Sequence, residues 1–260
     1  MKNLSLLFCV FILVLTSCSK DSASPVAEEQ LTTNGTLLRK VITTVGTDVI
    51  TDEYFYNGNK LLKVVSSNGR RYEYTYTGNL ITKQDLFENN VLKSTENNQY
   101  NADQKITEKK ILNYPNSKAF RCDYTYNTDG TVTVKEYSGD FTTQTTQTVN
   151  RKIFLFSNGD VEKIEEYVVV NGNPVTRINS YTYDTKNTPT NAILGYNKIK
   201  LWEVVGASGN SHNNTAIYFA STESNTTPYT VNPSYTYNSF NYPITADGVG
   251  ATGQYFYQQP

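Results

Sequence analysis

One histidine, His212, is the only side chain here whose ordinary pKa falls near neutral pH. A serine hydrolase would need it as its base, yet no Ser stands in a Gly-x-Ser-x-Gly elbow. Neither a His-Glu-x-x-His metal motif nor a phosphate-cradling glycine loop occurs. Carboxylates are plentiful but poorly spaced for paired acid–base work. Glu165 and Glu166 are adjacent, so on a strand they point to opposite faces and form no glycosidase pair from that strand. Asp103, Asp129 and Asp160 lie in turn-like sequence. Without a regular Asp-x-Asp-x-Asp spacing they read as turn formers rather than calcium ligands. No catalytic residue, metal ligand or cofactor is therefore assigned. Binding chemistry remains. The single Trp202 and His212 share the stretch between Tyr183 and Tyr235 with the polar loops 208–214 and 221–227. An exposed indole beside amides would stack on a carbohydrate or peptide and hydrogen-bond it, which makes Trp202 and His212 candidate ligand contacts. The other reading seats Trp202 as a plug on the concave face of a sheet and leaves His212 on a loop.

The cysteines carry a different chemistry. The start, Met1-Lys2-Asn3, is followed by an apolar run over 4–15 and then Leu15-Thr16-Ser17-Cys18. That run is too short to cross a ~30 Å hydrocarbon core and fits the apolar region of a secretory signal. The Leu-Thr-Ser-Cys step resembles the bacterial lipobox. The resemblance implies cleavage after Ser17, a diacylglyceryl thioether on Cys18 and acylation of the new amino group. Two or more chains hold a protein on a bilayer stably, where one would not. The other reading is an ordinary secretory signal that ends at a Cys. Ser19-Lys20-Asp21 lacks an Asp directly after the Cys and loosely resembles the export tract of surface lipoproteins in Bacteroidetes. Asp21-Ser22-Ala23 resembles an O-glycosylation pattern of that phylum, with Ser22 as the acceptor. Cys9 leaves with the signal and Cys18 takes lipid, so Cys122 stands alone and no intramolecular disulfide is possible in the mature chain. Cys122 shares a parity with Phe120, Tyr124 and Tyr126 and reads as a buried apolar thiol.

These groups need elements to hold them, and composition says which kind. Among 260 residues are 21 Tyr against one Trp and one Met, and the net charge is −1. A Tyr-rich chain of this sort favours strands over a helical bundle, and the charge excludes a strongly basic nucleic-acid binder. A repeat organises the tyrosines: an aromatic, any residue, an aromatic, a polar turn, then an apolar strand carrying Lys. It reads Tyr54-Phe55-Tyr56-Asn57-Gly58-Asn59-Lys60-Leu61, then Tyr74-Thr75-Tyr76-Thr77-Gly78-Asn79-Leu80-Ile81. A worn copy starts at Tyr100, and clearer ones are Tyr124-Thr125-Tyr126, Phe154-Leu155-Phe156, Tyr181-Thr182-Tyr183 and Tyr235-Thr236-Tyr237. Each copy predicts a hairpin, and neighbouring copies are expected to stack their Tyr pairs as cross-strand ladders.

The pattern resembles the YD or Rhs-type repeat, and more closely a family of Bacteroidetes lipoproteins of unknown function with a porin-like β domain. The stretches Tyr183-Asp184-Thr185-Lys186-Asn187-Thr188-Pro189, Ile193-Leu194-Gly195-Tyr196-Asn197-Lys198 and Asn238-Ser239-Phe240-Asn241-Tyr242-Pro243 carry the resemblance. A lipid-facing strand keeps one parity apolar over most of its length. Here Glu162, Ile164 and Glu166 share one parity, and Lys163, Glu165 and Tyr167 the other. The expectation is therefore a water-soluble, all-β domain. It is an antiparallel meander of repeated hairpins forming a strongly curved, open or barrel-like sheet, with at most one short helix near 190–201.

Residues 1–17 are expected to be the signal, 18–35 a flexible tether and 36–260 the single β domain. The expected role is a lipid-anchored envelope lipoprotein acting as a non-catalytic binding or scaffolding module. It would sit on the outer membrane through Cys18, at the cell surface or on the periplasmic face, and hold a glycan or an envelope protein. The alternative is an envelope hydrolase, for example one acting on glycans, that gathers carboxylates from different hairpins.

Overall fold

The computed structural model describes residues 35–199, 211–248 and 250–258. Its strands, in chain order, are β1 (Leu37–Val45), β2 (Asp48–Asn57), β3 (Lys60–Ser66), β4 (Arg70–Thr77), β5 (Leu80–Glu88) and β6 (Val91–Tyr100). Then come β7 (Ile106–Asn113), β8 (Lys118–Tyr126), β9 (Val132–Gly139), β10 (Gln144–Leu155), β11 (Val161–Val170) and β12 (Asn173–Asn187). Last are β13 (His212–Ser221), β14 (Tyr229–Val231), β15 (Ser234–Tyr237), β16 (Pro243–Gly248) and β17 (Ala251–Gln258). One 3-10 turn, Tyr196–Lys198, is the only helical element among the described residues, as the sequence led us to expect near 190–201.

The fold is the expected antiparallel meander. Each strand pairs with the next from β1 to β14 and again from β15 to β17, and β17 pairs back onto β1. The sheet therefore curls round on itself, yet no ladder joins β14 to β15 among the described residues. Both run in the same sense, so around Asn232-Pro233 the chain hands over from β13 to β16. Side chains bridge that seam instead. Asp184 on β12 accepts hydrogen bonds from Tyr237 on β15 and from the Asn213 backbone, while Lys186 Nζ donates to Asn241 Oδ1 at 2.6 Å.

The repeat units become hairpins whose turns lie at one end of the sheet. Gly58 and Gly78 occupy the two-residue turns at φ 58°, a left-handed conformation that L side chains resist. Register shifts fall at the second aromatic in three units, at Phe55/Tyr56, Thr75/Tyr76 and Thr236/Tyr237, and at Gln99/Tyr100, where Tyr100 is the lone aromatic of the worn unit and Asn98 holds the first place. Such bulges add local twist and re-aim a side chain.

The expected Tyr-on-Tyr ladders do not form. Tyr54 lies opposite Val64, Val64 opposite Tyr72, and Tyr74 opposite Gln84. The return strand of each hairpin sits between successive Tyr strands, so aliphatics alternate with rings and the core is mixed. Leu61, Ile81, Val132, Val134, Ile153 and Val161 are each 0% exposed.

The second tyrosine has a separate job. Ladders between units stop short of the turn end: β3–β4 stops at Lys63↔Glu73 and β5–β6 at Lys83↔Asn97. The backbone groups left open there are met by hydroxyls. Leu61 N–H donates to Tyr76 Oη at 3.0 Å, Tyr100 donates to Ile81 C=O at 2.7 Å and Tyr183 to Val161 C=O at 2.6 Å. The fifth unit confirms the rule by departing from it. Ile153, not Phe154, faces inward, Phe154 lies beneath Lys163 on the outer face, and Phe156 is in the turn. With no inward Tyr in that unit, the β9–β10 ladder runs on to Val132↔Ile153, the first residue of β9.

The outer face is charged. Lys63 opposes Glu73 and Glu73 opposes Asp85; Arg71–Glu73, Lys83–Asp85 and Lys163–Glu165 are ion pairs at 2.8, 2.6 and 2.8 Å. Lys63 and Arg71 lie over the rings of Phe55 and Phe87 at 4.7 and 4.4 Å. Exposed pairs of this kind add little stability. In contact with hydrocarbon each such cation would cost about 2–4 kcal/mol at mid-depth, so this surface belongs in water.

Candidate functional site

The concave side holds the chemistry, and a strap of chain shapes it. After β12 the backbone turns inward, Asn191 N–H and Ile193 N–H closing on Thr188 and Thr190. Leu194 N–H then donates to Asn59 C=O at 2.9 Å, and Tyr76 donates to Leu194 C=O at 3.1 Å. Gly195 follows at φ 71°, so close to β5 that a Cβ would stand 2.6 Å from the Asn79 carbonyl oxygen. On either side of it in the chain Ile193 and Ile199, 3% and 2% exposed, pack on Leu61, Val64, Tyr74 and Ile81. The strap thus completes a core that the sheet alone leaves open. Its far end is held by Lys109, whose buried Nζ donates to Ile199 C=O at 2.6 Å and pairs with Glu96 at 3.2 Å.

Between Tyr196 of the strap and the floor of β2–β6 lies a pocket of about 420 Å³, within the range common for small-molecule sites, roughly 300–1,000 Å³. Tyr54, Tyr72, Tyr74 and Tyr196 supply its rings; Asp52, Asn68, Arg70, Gln84 and Glu96 supply polar groups. The Tyr74 and Tyr196 rings are tilted at 58° with centroids 6.2 Å apart. Burial pushes the Tyr54 and Tyr74 hydroxyls well above the ordinary phenol pKa, so both stay neutral. The charged wall groups have partners: Arg70 Nε meets Glu88 at 3.1 Å, Ser66 donates to Asp52, and Glu96 is held by Lys109 and by Asn98 Nδ2 at 3.2 Å. Asp52 and Glu96 sit on strands four apart, and each is engaged by a partner of its own.

From Glu96 a belt of charge crosses the inner face in register. Lys109 lies opposite Cys122, Cys122 opposite Glu136, Arg151 opposite Glu166 and Glu166 opposite Arg177. Arg151 Nε binds Glu166 at 2.8 Å and its Nη1 stands 3.6 Å from Glu136. Cys122 is the buried thiol that the sequence suggested; burial pushes its pKa up to about 12, with the Glu136 carboxylate adding to the shift. Asn98 Oδ1, Tyr124 Oη and Arg151 Nη1 are buried in this region with no protein hydrogen-bond partner among the described residues. Buried polar atoms of that sort are normally satisfied, so water or a ligand is the expected complement.

Known proteins share this architecture. A porin-like protein from Bacteroides uniformis superimposes with a TM-score of 0.51 over 83% of this chain and 95% of its own, at 10% sequence identity. That likeness is one of fold alone. No family model and no curated protein matches the chain.

Of the candidate contacts read from sequence, Trp202 lies outside the described residues, as do Cys18 and Ser22. His212 is not a loop ornament: it opens β13, half-buried, with Nδ1 2.6 Å from Asp160 Oδ2. Asp160 is 1% exposed and also accepts from Ser211 N–H at 2.7 Å and Asn158 Nδ2 at 2.8 Å. The dyad ties the β10–β11 turn to the start of β13, away from the residues that line the pocket. Sequence reasoning did not single out Lys109, Arg151 or Tyr196. Lys109 stands in a charge-rich stretch where both parities are polar, and Arg151 interrupts the otherwise apolar parity of Val149, Ile153 and Leu155, so the pattern singled out neither. Tyr196 stood within a motif already noted, Ile193-Leu194-Gly195-Tyr196, whose inward fold no local signal specifies.

Proposed function

We propose that this chain is a lipid-anchored envelope protein that binds a ligand on the inner face of its sheet without transforming it. The observation that carries the binding half is the pocket beneath Tyr196, walled by neutral phenols and by charged groups that already have partners. The charged outer face supports a body that stands in water rather than in a bilayer. The Leu15-Thr16-Ser17-Cys18 step supports an acyl anchor on Cys18, and the shared fold with a porin-like protein of Bacteroides supports an envelope setting at the outer membrane.

Two measurements test it. Full-length protein is expected in the membrane fraction and the Cys18→Ala chain in the soluble one; unchanged partition would remove the anchor. For the binding half, detergent-extracted protein is incubated with envelope glycans and examined for both retention and new reducing ends. Retention without cleavage supports the module. Cleavage that stops on Glu96→Gln would replace it with the hydrolase alternative, the reading favoured by the presence of Asp52 and Glu96 in one pocket.

A further inference from the structure

We propose that the pocket between Tyr196 and strands β2–β6 takes a short, uncharged saccharide. The inference rests on the binding reading above and names its ligand class. Sugar rings offer C–H faces and a rim of hydroxyls, and recognition needs an aromatic plate beside donors and acceptors. Tyr72 and Tyr196 both line the pocket and provide aromatic plates, one from the sheet and one from the strap. Asn68 and Gln84 each provide both a donor and an acceptor.

Charge decides against ions. Arg70 is matched by Glu88 and Glu96 by Lys109, while the partner of the Asp52 carboxylate among the described residues is a hydroxyl, Ser66. An anion entering the pocket would meet that carboxylate, and the one cation lining the pocket, Arg70, is already paired with Glu88. Only two carboxylates, Asp52 and Glu96, line the pocket and Glu96 is already held by Lys109, so a divalent cation would lack the charged ligands it calls for. No group of three or more metal-ligating side chains occurs among the described residues. A sugar hydroxyl, by contrast, donates to a lone carboxylate at little cost in charge. The strap makes the site specific to this fold. Tyr196 reaches the pocket because Gly195 lets the backbone lie against Asn79, and Lys109 anchors the segment at Ile199.

The test is calorimetric titration of the detergent-extracted full chain with triacetylchitotriose, maltotriose and xylotriose, with inorganic phosphate and Ca²⁺ as ionic probes. At least one trisaccharide is expected to bind and neither ion. Tyr72→Ala should weaken that binding by about tenfold or more, and Tyr72→Phe, which keeps the ring, should restore most of it. Gln84→Ala provides a second variant on a partly exposed strand position, where folding is least at risk. Failure of all three sugars at millimolar concentration overturns the proposal, as does Tyr72-dependent binding of phosphate or Ca²⁺. A sugar that binds but ignores both Tyr72→Ala and Gln84→Ala overturns this site while leaving the binding module standing.

Discussion

The hydroxyl of Tyr100 donates to the backbone carbonyl of Ile81 at 2.7 Å, across a place where β5 and β6 have stopped pairing. Tyr100 is the lone aromatic of its worn unit and holds the second place, as Tyr76 and Tyr183 do in theirs, so these bonds show what each ring of the pair is for. The first fills the core, and the second closes a backbone gap that the splayed ladder leaves at the turn end. Tyr100→Phe keeps the ring and removes the bond, leaving Ile81 C=O only the longer contact from Asn98 Nδ2 at 3.4 Å. The expected loss is about 1–2 kcal/mol, read from the urea midpoint at unchanged slope.

Lys109 is 2% exposed and holds the strap to the sheet through Ile199. Lys109→Met strands Glu96 as an unpaired, largely buried carboxylate and should cost about 3–5 kcal/mol. Adding Glu96→Gln should recover part of that loss. A double-mutant cycle with no recovery would mean that the ion pair carries none of the effect.

Alkaline pH should unfold the protein. Burial pushes the phenols of Tyr76, Tyr126, Tyr181 and Tyr235 up to about 12 from an ordinary 10.0. A folded-state pKa above the unfolded one gives stability that is complete below pH 10 and is lost as pH rises towards 12. Tyrosinate absorbance should therefore lag behind that of the unfolded chain and then rise together with loss of β-sheet signal. Ionisation of all tyrosines near pH 10 with the fold intact would contradict it.

Gly195→Ala tests the strap. The left-handed φ of 71° penalises any L side chain by about 1–2 kcal/mol, and the new Cβ would press on Asn79 C=O. The expected result is a lowered Tm together with faster proteolysis near 190–199. Unchanged cleavage would show that the strap tolerates the shift.

Some of this was open to reading along the chain. Asn57-Gly58-Asn59 and Thr77-Gly78-Asn79 specify turns through chemistry confined to a few residues, and alternate aromatics specify a face, so the hairpins and their order followed directly. The fifth unit misled because Phe154-Leu155-Phe156 matches the aromatic spacing while Ile153 takes the inward place. Parity counts from the turn, and a one-residue slip exchanges the two faces. Trp202 and His212 stood out for being single, which is a statement about composition rather than position. His212 proved to be clamped by Asp160, 52 residues away.

The sequence by itself determined an antiparallel meander built from repeated hairpins, because turn residues and a period of two act over neighbours. Tertiary structure alone decided what lies inside it. The bond from Tyr76 to Leu194 spans 118 residues and that from Lys109 to Ile199 spans 90. No local preference encodes contacts of that reach. They form only once the sheet has curled enough to present an unfilled concave face, where the strap buries Ile193 and Ile199 and sets Tyr196 over the pocket.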